Sequence, residues 1–145
     1  MAKIALEAAT VTDSIAQNHI YYQWWNPYLY GYDQYGNPIG GWVYDYTHAT
    51  IKGVAKSTVT NVKINGKSPI VVGDKTTEND SYTIPNKGSY LSGSHSNAQG
   101  SINVGNAKNV KANGKLIVLN GATISTHAGT SATINGGVST TVNIG

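Results

Sequence analysis

Apolar and polar residues alternate over short stretches of this chain, and the stretches end at turn signals. Residues Asn61 to Lys67 read NVKINGK and Asn109 to Lys115 read NVKANGK, so the two copies differ at one position. An Asn-Gly pair accepts positive φ at both central positions of a type I′ turn, which joins antiparallel strands. Each copy therefore predicts a β-hairpin, with the apolar runs Ile70 to Val72 and Leu116 to Leu119 as the returning strands.

Two further stretches extend this pattern. Lys3 to Val11 is a plausible first strand, and Ser139 to Gly145 (STTVNIG) repeats the alternation without the Asn-Gly-Lys turn. Residues 75–94 are rich in Thr, Asn and Ser, which predicts a surface loop between the first and second copies. The acidic residues in and beside that loop are interpreted as solvated turn residues: Asp74, Glu78 and Asp80.

Length and composition favour one small all-β domain over residues 1–145. The 145 residues include 17 glycines, and only 12% are charged, a balance typical of short strands and many turns. The chain has no cysteine, so neither a disulfide nor a thiolate metal site is open to it. Stability must then come from strand pairing, from a metal held by other ligands, or from a partner.

An aromatic segment at about residues 19–47 differs from the rest and is predicted to be an insertion. It holds eight of the ten tyrosines and all three tryptophans. Turn signals at Asn26-Pro27 and Gly36-Asn37-Pro38 predict one or two aromatic hairpins or an ordered loop. These side chains could pack on the core, contact a partner, bind carbohydrate or lie at a membrane interface.

The four histidines are the candidate metal ligands. His48, His95 and His127 each precede one of the three repeated units, so packing the units around a pseudo-threefold axis would bring the three rings together. Histidine is a common ligand of zinc and suits iron equally, and such sites gather ligands from separate segments. His19 lies outside the repeat register and is the candidate fourth ligand.

These motifs together resemble those of the PAAR-repeat proteins, which form the tips of contractile injection spikes. The resemblance covers about residues 47–145. It rests on the following stretches in order: THATI (Thr47 to Ile51), NVKINGK, Gly73-Asp74, GSHSNAQGSI (Gly93 to Ile102), NVKANGK, THAGTSATI (Thr126 to Ile134) and STTVNIG. The sequence departs from the family in two respects. Ser-Pro-Ile-Val (Ser68 to Val71) and Leu-Ile-Val-Leu (Leu116 to Leu119) stand in place of Pro-Ala-Ala-Arg, and the family's cysteine ligand is absent.

The resemblance implies a cone of short β-hairpins around a pseudo-threefold axis, with one zinc or iron ion near its point. It also implies that the broad base sits on a trimeric β-helical spike, with one copy per spike. The expected location is a phage tail or an extracellular injection particle, and the expected action is piercing of the target envelope. By this interpretation the protein is structural and not an enzyme.

Charge and the N-terminal sequence narrow the function classes. Residues 1–48 carry one lysine against four carboxylates, whereas residues 49–145 carry nine lysines against three. All ten basic residues are lysine, which disfavours nucleic-acid binding because arginine is the usual reader of bases and phosphates. We expect no signal peptide, since Glu7, Thr10 and Asp13 interrupt the apolar N-terminal stretch, and no transmembrane segment.

Catalysis is not expected, because the seven carboxylates are scattered and no general-base motif such as HExxH accompanies the histidines. The alternative function is a secreted or surface glycan-binding module that uses the aromatic segment. In that case the histidines would be incidental.

Overall fold

A computed structural model describes the backbone of residues 2–135 and 138–144, and the side chains of residues 3–105 and 110–135. Ten strands make up most of it, and Pro85–Lys87 forms a short 3-10 turn. The strands are β1 (Ala2–Ala5), β2 (Thr10–Asn26), β3 (Gly41–Lys56), β4 (Lys75–Ser81), β5 (Ser89–Ser92), β6 (Asn106–Ala112), β7 (Lys115–Val118), β8 (Thr123–Ser125), β9 (Ser131–Asn135) and β10 (Val138–Ile144). The predicted all-β class is confirmed.

One antiparallel sheet carries the long hairpin of the fold. Its strand order is β4-β3-β2-β9-β8, and β5 adds to β2 beyond the end of β9. The two longest strands, β2 and β3, pair from Thr10 opposite Val54 to Asn26 opposite Gly41. On its other edge β2 pairs with β9 at residues 10–11 and with β5 at residues 21–23, which leaves a gap between these two partners.

Two smaller pairs complete the strand order. Strand β1 pairs with β10, and β6 pairs with β7. Isolated bridges tie the pieces together, including one between Val71 and Ile117 in the returning stretches of the two repeats. The last residue of the predicted third copy, Gly145, lies outside the described residues, while β10 covers the remainder.

The core contains small aliphatic side chains in two clusters. The larger one packs against the big sheet and the smaller one lies under β1 and β7. The most buried large side chains are Ile4, Ile20, Ile51, Ile70, Ile102, Ile124 and Ile134. The returning stretches of the two repeats contribute to both clusters, with Ile70 and Val118 in the larger and Val71 and Ile117 in the smaller.

Both predicted Asn-Gly turns form. Asn65 and Gly66 have φ of 53° and 79°, and Asn113 and Gly114 have φ of 52° and 80°. These are the positive values that a type I′ turn requires at both central positions. The second turn joins β6 to β7, whereas the first is closed by a single bridge between Ile64 and Lys67.

Two local predictions are wrong. The stretch Lys3 to Val11 is not one strand, because a turn in which Ala8 has φ of 70° separates β1 from β2. Residues 75–94 are not simply a surface loop, because they contain β4, whose seven residues pair with Thr50 to Lys56 of β3.

The aromatic segment forms a single hairpin built from the far ends of β2 and β3.

No helix in the described part of the chain has the length and apolar character needed to cross a bilayer.

Asp74 is a structural anchor and not a solvated turn residue. It is 1% exposed, and its carboxylate accepts hydrogen bonds from the Val71 backbone N–H (2.9 Å) and from the hydroxyl (2.6 Å) and backbone N–H (3.2 Å) of Thr58. It thereby closes the turn after the first returning strand. A buried carboxylate is tolerated when its oxygens are satisfied in this way.

We expect Asp74→Ala to lower the free energy of unfolding by about 3 kcal/mol, because it leaves buried donors without an acceptor. The matched control is Asp33→Ala. Asp33 also accepts two backbone hydrogen bonds, from Tyr35 and Asn37, but it is exposed. Urea denaturation followed by circular dichroism should show a loss of about 1 kcal/mol or less for the control. Equal losses would contradict the anchoring role.

Candidate metal centre

Three histidines and one aspartate converge from four separate segments. His19 comes from β2, Asp80 from β4, His95 from the loop after β5, and His127 from the turn between β8 and β9. One ligand atom from each lies within 4.8 Å of the others. We refer to these four residues as the His/Asp cluster.

A bulge in β2 places His19 in the cluster. Ala16 pairs with Ala49 and Ile20 pairs with Thr47, so three residues of β2 face a single residue of β3. Asn18, in the middle of the bulge, has φ of 52°. Bulges re-aim side chains and commonly lie beside functional sites. Here the bulge falls in the gap between β9 and β5, where His19 can reach Asp80.

Strand β4 supplies the carboxylates through an inward-facing polar row. Successive side chains of a strand point to opposite faces, so Thr76, Glu78 and Asp80 share one face. The side chains of Glu78 and Asp80 have no exposed surface. The strand therefore turns two acids toward the interior, the reverse of the usual pattern of polar residues outside.

Each of these carboxylates holds one histidine by two contacts. The Asp80 Oδ2 atom accepts the backbone N–H of His95 (2.7 Å) and lies 3.0 Å from its ring Nδ1. The Glu78 Oε1 atom accepts the backbone N–H of His127 (2.8 Å) and lies 2.6 Å from its ring Nδ1. Asp80 Oδ2 also lies 2.9 Å from Nε2 of His19.

The contact between His127 and Asp80 indicates that a cation fits the cluster. Glu78 is an acceptor at Nδ1 of His127, so the ring proton belongs there and Nε2 carries a lone pair. That Nε2 lies 2.9 Å from Asp80 Oδ1, yet both atoms are buried and neither makes a hydrogen bond. Two electron-rich atoms held this close need a positive charge between them. A metal ion supplies that charge for both atoms, and so does a second ring proton on His127, which would make the contact a salt bridge.

The donor set has the chemistry of a borderline metal. Imidazole nitrogens and a carboxylate oxygen bind zinc at about 2.0–2.2 Å, which places tetrahedral ligand atoms roughly 3.3 Å apart. The distances of 2.9 and 3.0 Å from the Asp80 oxygens to the histidine nitrogens are close to that separation. The cluster could therefore hold a metal ion once these close pairs move slightly apart and the wider pairs, which reach up to 4.8 Å, move together.

Glu78 is fixed by its own surroundings. Its Oε2 accepts a hydrogen bond from the Thr76 hydroxyl, which in turn accepts the backbone N–H of Gly100 (2.9 Å). A Cβ at Gly100 would lie 2.3 Å from Oε2, and one at Gly53 would lie 2.7 Å from Cγ of Glu78. Glycines on both sides thus leave just enough room for this carboxylate.

Electrostatics keep Asp80 ionised. Burial by itself raises the pKa of the Asp80 carboxyl, while hydrogen bonds from the His19 ring and from the ring and backbone of His95 lower it. A doubly protonated His127 lowers it further, and the balance leaves the pKa of Asp80 below its ordinary value. An ionised carboxylate is the form that binds a metal.

Exposure differs across the cluster. The side chain of His127 is 8% exposed and that of His19 is 15% exposed, whereas that of His95 is 52% exposed. The cluster therefore opens to solvent on the His95 side. This opening gives an ion a route in.

His48 is not part of the cluster. It lies on β3 beside Ala49, which is fully buried, and because neighbouring side chains alternate, His48 points to the outer face and is exposed. It is the single residue that faces the bulge of β2. The structure thus brings together His19, His95 and His127 and supplies the fourth ligand from Asp80, where the repeat pattern predicted His48.

Asp80 was missed because hydrophobic alternation is the usual signal of a strand, and β4 has no hydrophobic residue. The signal that could have found it is the spacing of Thr76, Glu78 and Asp80 at every second position.

Comparisons with protein-family models, with curated proteins and with solved structures found no match.

We expect the purified protein to hold about one metal ion per chain, and His127→Ala or Asp80→Ala to lose it, because each removes one of four ligands. His48→Ala is the matched control and should retain the ion. Elemental analysis after dialysis measures the metal content. Equal loss in the control, or no ion in the native protein, would contradict the site.

Glu78→Gln tests the support behind the ligands. Glutamine keeps one acceptor oxygen but removes the negative charge and places an NH2 donor against either the Thr76 hydroxyl or His127. Changing the group that orients a histidine ligand typically weakens metal binding 10–100-fold. We expect this weakening in competition titrations against a chromogenic chelator. Glu7→Gln serves as the control, since its carboxylate bonds to the Ser57 backbone and not to the cluster. An unchanged affinity in Glu78→Gln would rule out a supporting role.

Proposed function

We propose that this protein is the metal-stabilised tip of a spike in a contractile tail or injection machine. The observation that carries the proposal is the convergence of His19, Asp80, His95 and His127 on one point, where a bound cation would satisfy the buried Asp80 Oδ1 and His127 Nε2 atoms. The repeated hairpins and their resemblance to the PAAR-repeat proteins supply the mechanical context. An ion bound there would be a cross-link within a small β domain.

The cross-link joins segments that are far apart in sequence. In sequence, His19 is the first and His127 the last of the four residues, and Asp80 and His95 lie between them. Binding that forms only in the folded state adds its free energy to folding. For a chain without disulfides, this is the most direct route to a stiff and stable tip. Stiffness is the property that a piercing element needs.

The proposed ion is zinc or iron, since three imidazoles and a carboxylate suit either metal. When bound, the ion would supply a fixed cross-link. The chain's own residues do the positioning: Glu78 orients His127, and Asp80 lies beside the ring nitrogens of His19 and His95 that would bind the ion together with it.

A non-catalytic role is favoured by how the carboxylates are used. Both buried acids of β4 are engaged by histidines, so neither is left to act as a base on a substrate. His95 is the one exposed member of the cluster and has no second acid beyond Asp80 in the contacts described. We therefore propose a structural role and not an enzymatic one.

The proposed partner is a trimeric β-helical spike protein that binds the base of this domain. The resemblance supplies this partner and its location in a tail or an injection particle. A single chain on a threefold spike implies a complex of one tip with three spike chains.

The test is co-expression with a trimeric β-helical spike protein that the same genome encodes, followed by size-exclusion chromatography with light scattering. We expect a complex of one tip per spike trimer. In the native protein, a chelator should lower the free energy of unfolding by about 2.7 kcal/mol when free ion stood at 100 times its Kd. Absence of a complex, while the protein is folded and metal-loaded, would overturn the spike-tip function and leave the metal site intact.

A further inference from the structure

The far end of the β2–β3 hairpin forms an exposed aromatic arm, which we define as residues 21–46. Its turn carries tyrosines with most of their surface in solvent, including Tyr30 at 68% and Tyr35 at 80% exposure. Tyr22, by contrast, is buried in the core. Such an accumulation of exposed aromatic surface marks a binding site more often than a packing surplus.

Five of these side chains form a row on one face of the arm. Tyr21 pairs with Tyr46, Gln23 with Tyr44, and Trp25 with Trp42, and residues directly opposite in an antiparallel pair share a face. Ring contacts follow this register, at 4.8 Å for Tyr21 with Tyr46 and 5.3 Å for Trp25 with Trp42. We call this row, namely Tyr21, Trp25, Trp42, Tyr44 and Tyr46, the aromatic ladder.

The ladder is long, open and prearranged. From Trp42 to Tyr46 it spans about 13 Å at about 3.3 Å per residue. Trp25, Trp42, Tyr44 and Tyr46 are 47–55% exposed, so their rings are available from solvent. The ring of Trp25 lies against Gly40, where a Cβ would come within 2.5 Å of Cζ2. A ring seated in this way loses little freedom when a ligand binds.

Charge on the arm excludes several ligand classes. No lysine or arginine occurs between Lys3 and Lys52. The two acidic residues of the arm do not lie on the ladder: Asp33 bonds to the backbone of the turn, and Asp45 pairs with Tyr22 on the other face. The ladder is therefore an uncharged aromatic surface with tyrosine hydroxyls and the Gln23 amide at its edge.

We propose that the aromatic ladder binds a neutral polysaccharide. The faces of sugar rings present C–H groups, which pack on the electron-rich faces of Trp and Tyr, while their hydroxyls hydrogen bond to tyrosine hydroxyls and amides at the rim. A row of rings suits a linear chain of sugars better than a single small molecule. The neutral ladder matches a ligand that carries no charge.

Other occupants fit less well. Nucleic acid also stacks on aromatic platforms, but it needs several basic residues along its backbone; the arm has none, and Lys87 is the single lysine next to β5, which pairs with the arm. Anionic membranes likewise bind through lysine and arginine. The turn also carries the polar residues Asp33, Gln34 and Asn37, which disfavour insertion into a bilayer.

This inference extends the proposed function without depending on it. The arm begins two residues after His19, so it projects from the end of the domain that holds the His/Asp cluster. If that end is the front of a spike, the ladder is among the first surfaces to meet a glycan on the target envelope. If the protein is not a spike tip, the ladder still binds glycan.

The test is affinity electrophoresis of the full-length protein in gels containing hydroxyethyl cellulose, galactomannan, mannan, mixed-linkage β-glucan or glycol chitin. We expect at least one of these neutral polymers to retard the protein. The double variant Trp42→Ala/Tyr44→Ala should weaken that retardation at least tenfold, and Tyr44→Phe should retain it because the ring remains. Tyr35→Ala, which removes a more exposed tyrosine outside the ladder, should stay within twofold of the native protein.

Circular dichroism and metal content keep this result interpretable. Both should be unchanged in the double variant, because its side chains are exposed and lie outside the His/Asp cluster. A failure of the glycan proposal would therefore leave metal and spike binding intact, whereas a failure of the spike-tip proposal would leave retardation intact. Retardation by none of the polymers would overturn the proposal. Preferential binding to dextran sulfate or phosphatidylglycerol vesicles, or dimerisation that depends on Trp42, would also overturn it.

Discussion

Glu78 and Asp80 have side chains with no exposed surface, and buried carboxylates are costly unless their oxygens are paired. The partners are the rings and backbone N–H groups of histidines from distant segments. Strand β4 thus fixes the loop after β5 and the turn between β8 and β9 by electrostatic contacts, where the apolar core does not reach. Backbone hydrogen bonds of Glu78 and Asp80 with Ala98 and His95 add to these contacts, so β4 orders this end of the molecule through its backbone and its two acids together.

One atom pair turns this anchoring network into a metal centre. Asp80 already receives hydrogen bonds on Oδ2, while Oδ1 faces the lone pair of His127 Nε2 without a hydrogen bond. Without an ion, the two atoms are satisfied only when His127 carries a second ring proton, because unpaired buried polar atoms cost about 1–3 kcal/mol each. An ion bound by Asp80 Oδ1 and His127 Nε2 would satisfy both atoms. Folding and metal binding are then coupled through the same residues.

Local chemistry could be predicted from the sequence, and long-range placement could not. The two Asn-Gly turns and the all-β class followed from backbone preferences that act within a few residues. The contribution of His95 and His127 followed from their positions before the repeats. Strand β4 escaped prediction because its polar residues face inward, a choice that makes sense only once the histidines are beside them. His48 was favoured over His19 because the repeat register cannot reveal a bulge on the opposite strand.

The same bulges decide which face of the arm carries the aromatic ladder. Between Val11 and Ser14, β2 has one extra residue relative to β3, and this shift moves the buried side chains of β2 from odd to even positions. The second bulge, which holds His19, adds two residues and so keeps the phase. Tyr22 therefore continues the core face, and Tyr21 and Trp25 fall on the outer one. With one extra residue instead of two, Tyr21 and Trp25 would fall on the core face, opposite to Trp42, Tyr44 and Tyr46 of β3, so one structural feature both aims a metal ligand and completes the ladder.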